Sequence, residues 1–302
     1  MGSPDFALPT LKALADHYAV VGVVTQPDRP AGRGRNLTPP PVKVLAQELG
    51  LQVVQPKSLR ASQAITQLRA WEPDLVVVAA FGQILRPELL DLPPFGCINV
   101  HASLLPRWRG TAPIQAAILH GDQQTGVTIM KMDPGIDTGP LLSQRAIDIH
   151  FEETGASLTP KLAQLGAELL IAILPSYLNG DLQPQAQQGE ATYAPMLKKS
   201  DGQLDFTQSA EKIERKIRAF NPWPGTFLDW QGGRLKIHRV RVVDSIDQET
   251  VISAEPGKQI IYEGYPAVCT EEGSLVLVEV QPAGKKSMAG DVFLRGARDW
   301  AS

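Results

Sequence analysis

The sequence predicts an α/β protein with two domains, a parallel-sheet domain followed by a smaller β-rich domain. Three observations lead to this prediction. The first two-thirds of the 302 residues alternates short apolar runs with segments of helical spacing, and the last third is a series of short β-type runs separated by glycine turns. A chain of this length also exceeds the usual size of a single domain.

The elements of the first domain follow in order along the chain. Val20–Thr25, Leu75–Phe81 and Gly96–Val100 are compact apolar runs, typical of strands that are buried on both faces of a parallel sheet. Pro41–Gly50 and Ala61–Trp71 lie between them, with apolar residues spaced closer to 3.6 than to 2. This order predicts parallel strands joined by right-handed crossovers. Further helices are expected at Thr111–Gly121 and Thr154–Leu178, and a further strand is expected at Gly126–Lys131.

A polar segment rich in glutamine, residues 181–200, is interpreted as the linker between a domain at 1–180 and a domain at 201–302. Beyond it the pattern predicts one helix at Ala210–Phe220. Closely spaced strands with glycine turns then favour a small barrel or an open sheet. Those strands are expected at Gly225–Trp230, Leu235–Val243, Pro266–Thr270 and Leu275–Val280.

The chain opens on a turn, Met1–Phe6, which leads into a predicted helix at Pro9–His17. In a doubly wound sheet such a turn normally follows a strand. We therefore expect the natural protein to begin upstream of Met1. The alternative is that the first helix packs without a strand before it.

Composition excludes several classes of protein. A net charge of −3 gives no global sign of a polyanionic partner. The two cysteines, Cys97 and Cys269, are far apart, which favours a reducing compartment and argues against a structural zinc site. No apolar run reaches the roughly 18 residues that a membrane span needs, and residues 1–20 lack a signal pattern. We expect a cytoplasmic protein, or an organellar one without its targeting segment, that binds neither a metal nor a membrane.

The segment Cys97–Pro106 carries most of the chemical information. Side chains alternate between the two faces of a strand, so Asn99 and His101 share one face while Ile98 and Val100 share the other. The two polar groups lie at the C-terminal end of a predicted parallel strand, where open α/β sheets build their ligand sites. The alternative is that Asn99 caps the turn and His101 is a satisfied core histidine.

Asp137 lies in a loop, residues 133–140, that contains two prolines and two glycines. A carboxylate in such a loop is either a turn-forming residue or a positioned catalytic group. The loop follows the predicted strand Gly126–Lys131, so Asp137 could reach the same end of the sheet as His101. An amide, an imidazole and a carboxylate suit acyl transfer without a nucleophilic side chain. Cys97 lies roughly 13 Å before His101 on an extended strand, too far for a Cys–His pair.

The run Asn99–Gly110 closely resembles the core motif of the 10-formyltetrahydrofolate-dependent formyltransferases. The flanking segments Thr25–Arg35, Ala219–Gly225 and Gln281–Lys286 are similar to those of the members that act on methionyl-tRNA. The resemblance covers essentially the whole chain. It implies a Rossmann-like N-terminal domain and a C-terminal β-barrel resembling an OB fold. The implied reaction moves a formyl group from 10-formyltetrahydrofolate, a co-substrate, to the amino group of methionyl-initiator tRNA.

The resemblance also assigns roles to residues of this chain. Asn99, His101 and Asp137 would be the catalytic trio. The segment that binds the folate would be Ser103, Leu104, Leu105 and Pro106. The tRNA would contact a basic loop with Arg29, Arg33 and Arg35. Without the resemblance, the alternative is that these residues form a solvated surface loop. Apart from the resemblance, the residues suggest the hypothesis that Lys285 and Lys286 form a strip facing the tRNA phosphates with Lys236 and His238; the alternative is an ordinary charged face.

Two alternatives stay open besides a monomeric tRNA formyltransferase. One is formylation of a small amine, such as glycinamide ribonucleotide or an amino sugar. The C-terminal domain and the arginine loop argue against it, because a small substrate needs neither. The other is an inactive protein that binds folate or RNA, which the unusual start of the chain makes conceivable.

Overall fold

The computed structural model describes residues 1–31, 36–59, 61–243 and 255–301. Contacts divide the chain into two compact units. Unit 1 comprises Met1–Pro113, Gln124–Asp148 and Leu158–Pro195, and unit 2 comprises Ile114–Gln123, Ile149–Ser157 and Met196–Ser302. Most of the segment interpreted as a linker, up to Pro195, therefore belongs to unit 1.

The predicted helices and strands occur in the predicted order, with bounds that differ by a few residues. The α-helices are α1 (Leu8–His17), α2 (Pro41–Glu48), α3 (Ser62–Ala70), α4 (Pro87–Leu90), α5 (Pro113–His120), α6 (Gly155–Leu178), α7 (Ala210–Ala219) and α8 (Gly290–Leu294). The strands are β1 (Val23–Val24), β2 (Arg29–Ala31), β3 (Asn36–Thr38), β4 (Val53–Val54), β5 (Val76–Val78), β6 (Cys97–His101), β7 (Arg109–Gly110), β8 (Gln124–Lys131), β9 (Leu141–Asp148), β10 (Tyr193–Ala194), β11 (Thr226–Trp230), β12 (Gly233–Val243), β13 (Gln259–Tyr262), β14 (Tyr265–Cys269), β15 (Ser274–Gln281) and β16 (Met288–Ala289). The structure adds elements that were not predicted: α4, α8, β2, β3, β4, β7, β9, β10, β13 and β16.

The sheet of unit 1 is parallel on one side and antiparallel on the other. β1 pairs with β4 and β5 pairs with β6, both in parallel, which confirms the parallel-sheet prediction for these strands. β8 is antiparallel to β6 and to β9, so the extension of the parallel rule to β8 was wrong. The apolar pattern of β8 fits either strand direction, and the direction is set by the path of the chain from β6 through β7 and α5.

Residues 1 and 2 lie between β1 and β5 and connect them. The Gly2 amide donates to the Val24 carbonyl at 3.1 Å, and the Ala79 amide donates to the Met1 carbonyl at 2.9 Å. The Met1 amino group donates to the Val77 carbonyl at 2.5 Å, and burial lowers the pKa of this amine to about 6. A cavity of about 280 Å³ with apolar walls adjoins these residues. The start of the chain thus takes part in the sheet, and an upstream strand stays a prediction.

Helix α6 packs against the sheet of unit 1 and is the one described helix that is long and apolar enough to cross a membrane. Its residues Leu158, Leu162, Leu170 and Leu174 are at most 1% exposed, and they recur at the spacing of a core-facing stripe. A Cβ atom at Gly166 would lie 2.6 Å from a Val100 methyl group, so this glycine permits close packing on β6. These features are those of a core helix.

Unit 2 contains an antiparallel sheet in the order β11-β12-β15-β14-β13, with β16 paired to β15. Helix α7 begins after Ser209, whose hydroxyl accepts a hydrogen bond from the Lys212 amide. Ile213 and Ile217 of α7 are buried in a core that includes Leu235 and Trp300. The helix and strands expected here are confirmed. Among the residues that the structure describes, no strand pair closes this sheet into a barrel.

Candidate active site

Strand β6 presents Asn99 and His101 on one face, as the alternation of the sequence predicts. Ile98 and Val100 are 0% and 2% exposed and fill the core on the other face. Asn99 is half-buried and His101 is 5% exposed. The buried apolar side chains therefore fix the strand in the core, and the amide of Asn99 and the imidazole of His101 lie on its other face.

Asp137 meets both of these groups. Its Oδ2 atom lies 3.6 Å from His101 Nδ1, and its Oδ1 atom accepts a hydrogen bond from Asn99 Nδ2 at 3.4 Å. The sequence analysis expected the end of β8 to lie at the same end of the sheet as His101. This was wrong, because antiparallel β8 ends beside Ile98, at the start of β6. The two ends of the loop after β8 lie together, because the Lys131 amide donates to the Pro140 carbonyl, and the middle of the loop carries Asp137 to Asn99 and His101.

Backbone contacts fix the orientation of His101. Its Nε2 atom lies 2.9 Å from the carbonyl oxygen of Trp108. A carbonyl only accepts hydrogen bonds, so Nε2 carries a hydrogen and donates it. The other nitrogen, Nδ1, faces Asp137 and is the one that can exchange a proton. This geometry differs from that of a core histidine whose two ring nitrogens are both satisfied by the backbone.

Gly110 also contacts the Asp137 carboxylate, and sequence reasoning assigned this glycine no role of its own. The Gly110 amide donates to Asp137 Oδ2 at 2.8 Å. Gly110 has a φ of +111°, and a Cβ atom there would lie 2.5 Å from the Ala194 carbonyl oxygen. Only glycine fits this position without strain, because the backbone is unusual and the neighbouring strand is close.

Gln187 contacts the Asp137 loop and in turn binds Arg109, and sequence reasoning gave neither residue a role in the site. Gln187 donates from Nε2 to the carbonyl oxygens of Asp137 and Gly139, both at 2.8 Å. Its Oε1 atom accepts hydrogen bonds from Arg109. Arg109 lies within the motif quoted above, but Gln187 lies in a polar segment whose composition resembles any linker. No local signal in the sequence distinguishes it from its neighbours.

The segment Ser103–Pro106, expected to bind the folate, is held from below by two polar side chains. Thr128 Oγ1 donates to the Ser103 carbonyl at 2.6 Å and accepts a hydrogen bond from the Leu105 amide at 3.1 Å. Gln144 donates to the Leu105 carbonyl at 2.8 Å. The side chains of Ser103 and Leu105 are buried, which leaves Leu104 and Pro106 as the half-buried members that a ligand could touch.

Cys97 lies in the core beneath the site. It is 1% exposed, and its thiol donates a weak hydrogen bond to the Leu89 carbonyl. Burial, with a smaller contribution from Asp91, raises the pKa of the Cys97 thiol to about 12. A thiol in this state is a poor nucleophile, which agrees with the expectation of acyl transfer without a covalent intermediate.

The expected tRNA contacts are described only in part. Arg29 lies in β2, which pairs with β3; it is exposed and donates to Gln26 Oε1 at 3.1 Å. Arg33 and Arg35 lie outside the described residues.

No group of three or more metal-binding side chains occurs in the part of the chain that the structure describes.

In unit 2 the exposed residues Lys285 and Lys286 follow β15. Gln281 connects them to β12, because its Nε2 atom donates to the Lys285 carbonyl and its Oε1 atom lies 3.1 Å from His238 Nε2. Lys236 is directly opposite Gln281 in the strand register. The four residues of the expected strip are therefore neighbours.

Comparison with known proteins gives matches along nearly the whole chain. A family model described as formyl transferase matches residues 2–174, and a model described as formyl transferase, C-terminal domain, matches residues 196–298. A methionyl-tRNA formyltransferase of Myxococcus xanthus is 49% identical over 298 residues, covering 98% of this chain and 93% of the relative. One of Chloroflexus aggregans is 48% identical over 300 residues, covering 98% and 96%.

Among solved structures, an N-formyltransferase from Helicobacter canadensis, in complex with folinic acid and dTDP-3-aminofucose, has a TM-score of 0.64. It is 17% identical, and the match covers 93% of this chain and 97% of that one. At this identity the likeness concerns the fold alone.

Proposed function

The chain belongs to the formyl transferase family, and we propose that it transfers a formyl group from 10-formyltetrahydrofolate to the α-amino group of methionyl-initiator tRNA. Two methionyl-tRNA formyltransferases that are 48–49% identical over 98% of the chain support this substrate. The observation that carries the chemistry is the meeting of Asp137 with the Asn99 amide and with His101 Nδ1.

The attacking group needs little activation. An α-amino group has a pKa of roughly 7.7–8.0 in peptides, so a usable fraction is neutral at cellular pH. The enzyme must orient this amine against the formyl carbon and stabilise the oxyanion that forms. Asn99 supplies an N–H donor for that oxyanion, and preorganised donors of this kind are a major source of rate enhancement.

Asp137 and His101 transfer a proton from the attacking amine to the leaving nitrogen of the folate. As the new C–N bond forms, the amine loses one proton, which Asp137 accepts and passes to His101 Nδ1. As the bond from the formyl carbon to N10 of the folate breaks, that nitrogen gains one proton from His101. The Trp108 carbonyl keeps the imidazole oriented through Nε2 during both transfers. Cys97 has no part in this route.

The remaining assignments belong to the same proposal. Ser103, Leu104, Leu105 and Pro106 bind the folate donor, while Arg29, Arg33, Arg35, Lys285 and Lys286 contact the tRNA. The N-terminal domain, 1–180, is Rossmann-like, and 201–302 is an OB-like domain that binds tRNA. Residues 181–200 lead from one to the other, with 181–195 packed on the N-terminal domain. We propose a monomer that acts in the cytoplasm, the compartment of translation.

The test is a turnover assay with the formyl donor and three acceptors. These are charged initiator tRNA, glycinamide ribonucleotide and a nucleotide-linked amino sugar. We expect formylmethionyl-tRNA as the main product. Preferential formylation of either small amine would assign the protein to a different substrate class, and the absence of all three products would contradict the proposal.

A further inference from the structure

We propose that Gln187 is a positioning residue, which holds the Asp137 loop in its active orientation. The segment 181–195 would then be part of the framework of the active site. This inference rests on the proposed function, because it concerns the same site and the same reaction.

The side chain of Gln187 uses both ends at once. Its Nε2 atom donates one hydrogen bond to the Asp137 carbonyl and one to the Gly139 carbonyl, each 2.8 Å long. Its Oε1 atom accepts from Arg109 Nε at 3.2 Å and from Arg109 Nη2 at 2.7 Å. Both N–H donors of the amide are therefore used on the Asp137 loop, and the acceptor is used on β7.

Asp137 needs such support, because its backbone is in an unfavourable conformation. Its φ of +51° lies in the left-handed region, which is unfavourable for a residue with a side chain. Its neighbours Ile136 and Thr138 are exposed and give the loop little packing. Hydrogen bonds to the carbonyls of residues 137 and 139 fix the 137–138 and 139–140 peptide planes. The Gln187 amide thus sets the direction in which the Asp137 carboxylate points.

Gln187 can do this because its own segment is anchored on both sides. On one side, Gln185 and Leu141 exchange backbone hydrogen bonds of 2.7 and 2.8 Å. On the other side, the Arg109 amide donates to the Thr192 carbonyl at 2.9 Å, and the Trp108 amide donates to Thr192 Oγ1 at 2.9 Å. The same segment therefore braces the residue that orients His101 and the loop that carries Asp137.

The experiment compares Gln187→Leu with Gln188→Leu, the same change at the adjacent exposed residue. For Gln187→Leu we expect kcat for formylation to fall about 10- to 100-fold, since a misplacement of about 1 Å in a catalytic group can cost on the order of 100-fold. KM for the tRNA and for the folate should stay within about threefold, because substrate contacts remain. Gln188→Leu should match the unmodified protein, and thermal melts establish that both variants fold.

A second variant separates the two ends of the side chain. Gln187→Glu keeps an oxygen for Arg109 but removes both N–H donors to the loop. We expect it to lose kcat as severely as Gln187→Leu. Near-normal kcat in Gln187→Glu would mean that the contact with Arg109 is what matters, which would overturn the inference.

A double-mutant test then asks whether Gln187 acts through Asp137. In an Asp137→Ala background, Gln187→Leu should cause no further loss of kcat, because the group that it positions is already absent. An additive loss would overturn the inference. If the unmodified protein does not formylate tRNA, the proposed function fails. If the unmodified protein is active and Gln187→Leu is equally active, this inference alone fails.

Discussion

Replacing Asp137 by asparagine tests the site with the smallest possible change of shape. The carboxylate accepts hydrogen bonds at both oxygens, from the Gly110 amide at 2.8 Å and from Asn99 Nδ2 at 3.4 Å, and it faces His101 Nδ1 at 3.6 Å. An asparagine amide must turn its NH₂ group towards one of these partners. A donor then faces a donor at Gly110 or at Asn99, whichever way the amide turns.

The size of the effect follows from these contacts. A hydrogen bond to a charged group contributes about 1.5–3 kcal/mol, and about 1.4 kcal/mol corresponds to a tenfold change in rate. The loss of one such bond predicts a fall in kcat of roughly 10- to 150-fold. Loss of the carboxylate as proton acceptor adds to this, so we expect a fall of at least about 100-fold.

The assay is single-turnover formylation of charged initiator tRNA at saturating folate, which isolates the chemical step from product release. The matched control is Asp148→Asn, at the exposed end of β9, where the carboxylate bonds only to the surface residue Gln124 among the described contacts. Circular dichroism and a thermal melt verify folding. A folded Asp137→Asn protein with a rate within about threefold of the unmodified protein would refute the reasoning.

Three other predictions can be tested with the same preparations. Gly110→Ala should lower the free energy of unfolding by about 2 kcal/mol or more and reduce activity, because the φ of +111° strains any Cβ and the Ala194 carbonyl blocks it; an unchanged melting temperature would contradict this. Cys97, with its pKa raised to about 12, is almost entirely protonated at pH 8, so it should resist a thiol reagent in the native protein and react after unfolding; rapid native modification with loss of activity would be the opposite result. Lys285→Glu combined with Lys286→Glu should weaken tRNA binding at low salt and flatten its salt dependence, because phosphate contacts release counterions; unchanged affinity would remove these lysines from the interface.

The sequence predicted the parts of the site that depend on local periodicity. The alternation in β6 correctly placed Asn99 and His101 together, because apolar Ile98 and Val100 can face only the core. The meeting of His101 with Asp137 was also anticipated, although for a reason that was partly wrong. The direction of β8 depends on the path of the chain between β6 and β8, and this is a tertiary choice that no local pattern records.

Gln187 could not be predicted at all. Its function depends on two backbone carbonyls and one arginine brought to it from distant parts of the chain. Glutamine neighbours at positions 183, 185 and 188 share its composition and surroundings in the sequence. Hydrogen bonds of this kind depend on the folded path of the segment, which residue types do not determine. Arg33 and Arg35, outside the described residues, stay predictions from the sequence.

The central claim is that Asn99, His101 and Asp137 together transfer a formyl group to methionyl-tRNA. The most direct measurement is the rate of formylmethionyl-tRNA formation from 10-formyltetrahydrofolate by the unmodified protein and by His101→Ala. We predict ready formation by the unmodified protein and a rate at least about 100-fold lower in the folded variant, as for the loss of a preorganised catalytic group. Equal rates in the two proteins would contradict the account.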